Sequence, residues 1–220
     1  EDESMAIKFG IHPFIWTSRW DDSCLGLIDK AKSMGFEFIE IPLLRLDLLN
    51  TKKVKERLAL KGIKCCASVG LTDETDITSK NRDVRENGIR YLKDCVQVAY
   101  EIGGNFLAGP MYSSFGKDVG RSPTEEEWRF SATSLKEVAR FANECGITLV
   151  LEPLNRYETY LVNTAEQVRR LINIIDEPNV KVQLDTYHMN IEEKNFYQPI
   201  VKTENLLEYI HLCENDRGIP

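Results

Sequence analysis

The sequence is short of the signals that define several common protein classes. No run in its 220 residues approaches the roughly 18 apolar residues of a membrane span, and no apolar signal-peptide core opens it. No membrane partner is expected. Basic residues are outnumbered, 28 Lys and Arg against 35 Asp and Glu for a net charge of −7, and phosphate-backbone binding needs clustered cations. Nucleic acid is therefore not an expected partner either. The six cysteines (Cys24, Cys65, Cys66, Cys95, Cys145, Cys213) follow no C-x-x-C or framework spacing. Most sit in apolar periodic segments where a thiol packs as a small hydrophobe, so reduced thiols and a cytoplasmic location are expected. Three histidines are too few for a multinuclear metal nuclease. The first strand candidate is followed by no G-x-G-x-x-G, which removes support for a dinucleotide-binding open sheet.

What the chain has is an alternation. Short β-rich runs at 7–12, 36–41, 63–70, 105–110, 147–152, 180–185 and 209–214 are separated by segments with apolar residues at three- and four-residue spacing. Several of these segments end in Gly before the next strand, a helix stop, and Thr124 and Thr164 stand where N-caps are needed. Strand starts recur at roughly the length of one strand–helix unit, which predicts a parallel sheet with about six helices. The fold expected is a (β/α)8 TIM barrel with about seven strands present, as one domain over residues 5–220. Residues 1–4 read as a cloning remnant or a short polar lead-in. A final strand and its helices are expected to lie outside these residues or to come from another chain.

In such a barrel the strand ends carry the chemistry. Strand five ends in Glu152, strand six in Asp185, strand seven carries His211, and strand one carries His12. Residues two apart share a face, so Val180, Val182 and Leu184 turn to the helices while Asp185 turns inward. Ile210 and Leu212 are likewise expected against helices, with His211 inside. Two carboxylates and an imidazole on neighbouring strands suit one divalent ion of the Mn2+, Co2+, Mg2+ and Zn2+ group, with positions left for substrate oxygens. Glu158, His188 and Arg217 follow a few residues later, placed to bind substrate; the alternative for Glu158 and Arg217 is a surface ion-pair cluster, and for His188 a hydrogen bond that fixes a metal ligand. Trp20 and Phe115 are either packing or an aromatic wall. Cys65 and Cys66, adjacent on a strand, face opposite ways, so only one can line the lumen.

The strings LEPLNRYE, VKVQLDTYHMNIEE and HLCENDRGIP resemble the xylose isomerase-like TIM-barrel superfamily, and within it the ketose 3-epimerases that act on tagatose and psicose. That resemblance implies Glu152, Asp185 and His211 as three of four metal ligands, with Mn2+ foremost, and Glu152 as one of two glutamates that exchange the C3 proton. The fourth ligand, a strand-eight Glu that is also the second acid/base, has no counterpart in these residues. It implies Glu158, His188 and Arg217 at the O1–O3 end of a free ketose, and it adds His12, Trp20, Cys66 and Phe115 as further substrate contacts. His12 stands where close relatives have Tyr or Phe, and Phe115 where many have Trp, which leaves the preferred ketose open. A dimer or tetramer is expected by the same resemblance. The alternatives are an aldose–ketose isomerase of hydroxypyruvate type and an inactive, truncated sugar-binding barrel.

Overall fold

The computed structural model describes residues 7–218, so the lead-in expected at 1–4 lies outside the described residues. Seven parallel strands pair strictly in chain order. They are β1 (Gly10–Ile11), β2 (Phe38–Pro42), β3 (Lys64–Ser68), β4 (Phe106–Gly109), β5 (Thr148–Leu151), β6 (Val180–Asp185) and β7 (Leu207–His211). Between them run α1 (Leu25–Ser33), α2 (Thr51–Lys61), α3 (Arg82–Ile102), α4 (Glu125–Glu144), α5 (Ala165–Ile175), α6 (Thr186–Glu192) and α7 (Tyr197–Thr203). The sheet curls into a partial TIM barrel: the Tyr209 ring on β7 lies 5.8 Å from Phe38 on β2, across the lumen. Among the described residues β1 pairs only with β2 and β7 only with β6.

Alternation explains the layers. Ile39, Ile41, Cys65, Ala67, Leu107, Leu149, Leu151, Val182 and Leu184 are buried with Ile28, Val54, Leu92, Leu135 and Leu171 from the helices in one core, and each large aliphatic buried this way contributes about 1.5–3 kcal/mol. The helix starts are those the sequence predicts, with reciprocal Thr124–Glu127 and Thr164–Gln167 capping boxes on α4 and α5. Among the described residues seven α-helices form rather than about six, because the β6–β7 crossover is broken. There the Asn195 side chain accepts the Gln198 N–H at 2.8 Å, two residues ahead of the start of α7.

Two details aim the site. β4 closes on Gly109 with φ of 117°, where a Cβ would stand 2.4 Å from the Val69 carbonyl oxygen, so only Gly fits. Glu152, one residue past β5, donates its N–H to the Gly109 oxygen at 3.2 Å. A register shift between Val182 and Gln183 then sets Tyr209 opposite Gln183 and His211 opposite Asp185; such a bulge re-aims side chains. Ile210 and Leu212 correct the expectation of helix cover: they point away from the lumen but are 36% and 58% exposed, since no described helix packs on β7. No described helix is long and apolar enough to cross a membrane.

Candidate active site

Glu152 and Asp185 are buried at the strand ends, and each has donor atoms within 4.8 Å of His188 and of one another. Neither carboxylate meets a Lys or Arg among the described residues. Their basic neighbours are imidazoles: His211 Nδ1 lies 3.5 Å from Glu152 and 3.8 Å from Asp185, and His188 Nε2 lies 3.9 Å from Asp185. Asp185 also accepts the Tyr187 N–H at 2.7 Å. Burial alone would raise the Asp185 carboxyl, but His211 and His188 outweigh it and hold it below its usual value. For His211 burial works against the proton, yet Glu40, Asp185 and Glu152 raise it well above the ordinary imidazole value. This end of the barrel favours a positive charge at or beside the ring.

The LEPLNRYE loop is held from below and from the side. The buried Tyr112 hydroxyl donates to the Val162 oxygen at 3.0 Å and accepts the Leu154 N–H at 3.2 Å. Arg156 grips Glu192 at the end of α6 through its backbone N–H and through Nε and Nη2 on one edge of its guanidinium. Asn155 is fully buried; its oxygen accepts the Tyr157 N–H at 2.9 Å, and its amide nitrogen donates to Glu158 Oε1 at 3.0 Å and His188 Nδ1 at 2.9 Å. The loop thus orients two predicted site residues at once.

These contacts fix hydrogens. The Asn155 backbone N–H donates to His188 Nδ1 at 3.1 Å, and a nitrogen that accepts carries no hydrogen, so neutral His188 bears its proton on Nε2. Arg217 Nη2 lies 3.5 Å from that Nε2, a donor facing a donor. An oxygen acceptor offered to both would resolve the clash. Arg217 is aimed there by two ion-pair contacts with Glu158, the shorter 3.2 Å, and by stacking 4.6 Å over Tyr187. Its φ is +66°, an unfavourable backbone held by these contacts. His211 is oriented the opposite way: Nε2 meets the Glu40 carboxylate at 2.8 Å, and Nδ1 faces the two strand-end acids.

The remaining predicted residues divide. Cys66 is buried on the lumen face, paired in register with Glu40, and burial pushes its thiol well above the usual value. Cys65 turns to the helices, its thiol 3.7 Å from the Ile102 oxygen. The His12 ring stands 6.0 Å from His211, and burial lowers its affinity for a proton. Trp20 is part of the buried core, although its indole N–H has no partner among the described residues. Phe115 is 55% exposed on its loop. Sequence reasoning passed over Glu40, Gln183, Tyr209 and Asn155 as functional residues. Glu40 did leave a signal, a lone acid in the apolar run FIEI, on the face that alternation turns inward.

A strand-ordered barrel with two buried acids and three imidazoles at one mouth defines a class, and the comparisons agree with it. The chain belongs to the xylose isomerase-like TIM-barrel family, whose profile matches residues 28–219. Within that family it stands with the ketose 3-epimerases. It is 34% identical to a ketose 3-epimerase of Arthrobacter globiformis, over 96% of this chain and 73% of the relative. It is 31% identical to a D-psicose 3-epimerase of Ruminiclostridium cellulolyticum, over 97% and 74%. A solved D-allulose 3-epimerase from Methylomonas sp. in complex with D-allulose superposes with a TM-score of 0.93 at 31% identity, over 96% of this chain and 74% of that one.

Proposed function

We propose that this chain carries the site of a divalent-metal-dependent ketose 3-epimerase acting on an unphosphorylated ketose, with Glu152, Asp185 and His211 holding the ion. The observation that carries this reading is the pair of buried carboxylates that, among the described residues, has imidazoles but no Lys or Arg beside it, an arrangement that favours a cation next to them. The donor set fits such an ion, since two carboxylates and one imidazole nitrogen suit Mn2+ first and Co2+, Mg2+ or Zn2+ next. His188 is close enough to be counted with the acids. Its Nδ1 pair is spent on Asn155, however, and its Nε2 carries a hydrogen, which makes it a donor, whereas His211 offers Nδ1. Bound there, a divalent ion would draw electron density from ketose oxygens and acidify the C3 hydrogen.

The protein groups then have separate tasks. Glu152 takes the proton from C3; the C–H electron pair enters the C2–C3 bond, and the carbonyl π pair moves onto O2. His188 Nε2–H and Arg217 both donate to that oxygen, which fills the gap between two facing donors. Glu158 holds Arg217 in place and can accept from a neighbouring hydroxyl. Return of a proton to the opposite face of C3 inverts the centre. The family resemblance assigns that step to a glutamate on an eighth strand, and these residues span 73% of the Arthrobacter relative. His12, Cys66, Trp20 and Phe115 are proposed around the distal carbons.

The test is exchange in D2O with Mn2+ and a ketose. Deuterium is expected at C3, and Glu152→Gln should abolish it. Label at C1 without C3 would overturn the reading in favour of an aldose–ketose isomerase.

A further inference from the structure

We infer that Glu40 is a positioning residue for the candidate metal site: it takes the Nε2 hydrogen of His211 and so leaves Nδ1 as an electron pair aimed at Glu152 and Asp185. The inference rests on the reading of His211 as a ligand and extends it to a residue on the opposite wall of the barrel. Glu40 is 1% exposed on β2, and among the described residues no Lys or Arg pairs with it. Instead one oxygen accepts both the Tyr209 hydroxyl and His211 Nε2, each at 2.8 Å. The other faces His12 Nε2 at 3.4 Å. His12 Nδ1 is occupied by the Phe14 N–H at 3.1 Å, so its hydrogen too lies on Nε2, toward Glu40.

A carboxylate surrounded by three donors acts as an acceptor toward each of them. The two nitrogens of an imidazole point to opposite sides of the ring. Glu40 is therefore separated from the strand-end acids by the His211 ring and acts through it. A carboxylate behind a ligating imidazole fixes the tautomer, locks the ring plane and makes the free nitrogen a better donor. Gln183 completes the frame, its amide nitrogen 2.8 Å from His211 Nδ1, in the place a bound ion would contest. The device joins residues 171 apart in the chain, because only the curl of the sheet brings β7 over β2.

The test uses the whole chain with Glu40→Gln, which keeps volume and removes charge, and Tyr209→Phe, which removes one donor to Glu40 and leaves the His211 bond. Calorimetry with Mn2+ should show binding about 10- to 100-fold weaker in Glu40→Gln and within about threefold of wild type in Tyr209→Phe. With only three histidines to assign, 15N spectra of the zinc-loaded wild type should show His211 protonated at Nε2 and shifted at Nδ1. Wild-type affinity in folded Glu40→Gln overturns the inference. If that variant does not fold, the wild-type spectrum decides, and a His211 protonated at Nδ1 alone overturns it. A wild-type chain that takes up no Mn2+ fails at an earlier and separate step, and overturns the metal reading along with this one.

Discussion

Replacing Asn155 by Ala removes three side-chain hydrogen bonds of 2.9–3.0 Å from a residue only 1% exposed. A net hydrogen bond is worth about 0.5–1.5 kcal/mol between neutral groups and about 1.5–3 when one partner is charged, as Glu158 is. The gross loss is therefore about 2.5–6 kcal/mol. Part of it is recovered, because Glu158 keeps Arg217 at 3.2 Å and the backbone N–H of residue 155 still reaches His188 Nδ1 at 3.1 Å. We expect a net loss of roughly 2–4 kcal/mol, read as a lower urea midpoint with an unchanged slope. The His188 tautomer should persist, since the backbone donor alone determines it. Glu158 and Arg217 should lose their aim, so KM for the ketose rises about tenfold, the cost of roughly one such contact, while kcat falls less. A loss under about 1 kcal/mol together with an unchanged KM would refute the view that this amide organises the loop.

Two further expectations bear on the frame rather than the chemistry. Hydrogen bonds from Arg121 hold the Glu127 carboxyl down to about 2, against an ordinary 4.5. Since the folded value is the lower one, the stabilisation is whole above the ordinary value and is lost as pH falls toward 2. Arg121→Ala should then lower stability at pH 7 and clearly less at pH 3, and equal losses in denaturation at both pH values would contradict the assignment. Gly109→Ala places a methyl group against the Val69 carbonyl at a φ that side chains avoid, for an expected loss of about 2–4 kcal/mol and a lower Tm; an unchanged melting curve would exclude the strain.

Much of this protein could be read before any coordinates. The strand–helix alternation, the caps at Thr124 and Thr164, and the inward turn of Glu152, Asp185 and His211 all follow from local periodicity, which residues a few positions apart settle among themselves. LEPLNRYE was also legible as one of the strings that carry the family resemblance, and Asn155 and Arg156 prove to be its braces. Other features lay beyond local pattern. Ile210 and Leu212 alternate as helix-facing residues do, yet whether a helix covers them depends on what packs against β7. Which histidine offers an electron pair and which a hydrogen depends on the partner behind each ring, Glu40 for His211 and Asn155 for His188. Sequence alone determined the barrel and the strand-end polar residues Glu152, Asp185 and His211 at its mouth, because the spacing of side chains along a strand is local. Tertiary structure decided their roles, because a hydrogen bond across a curled sheet joins groups far apart in the chain, and its donor and acceptor exist as a pair only once the sheet has curled.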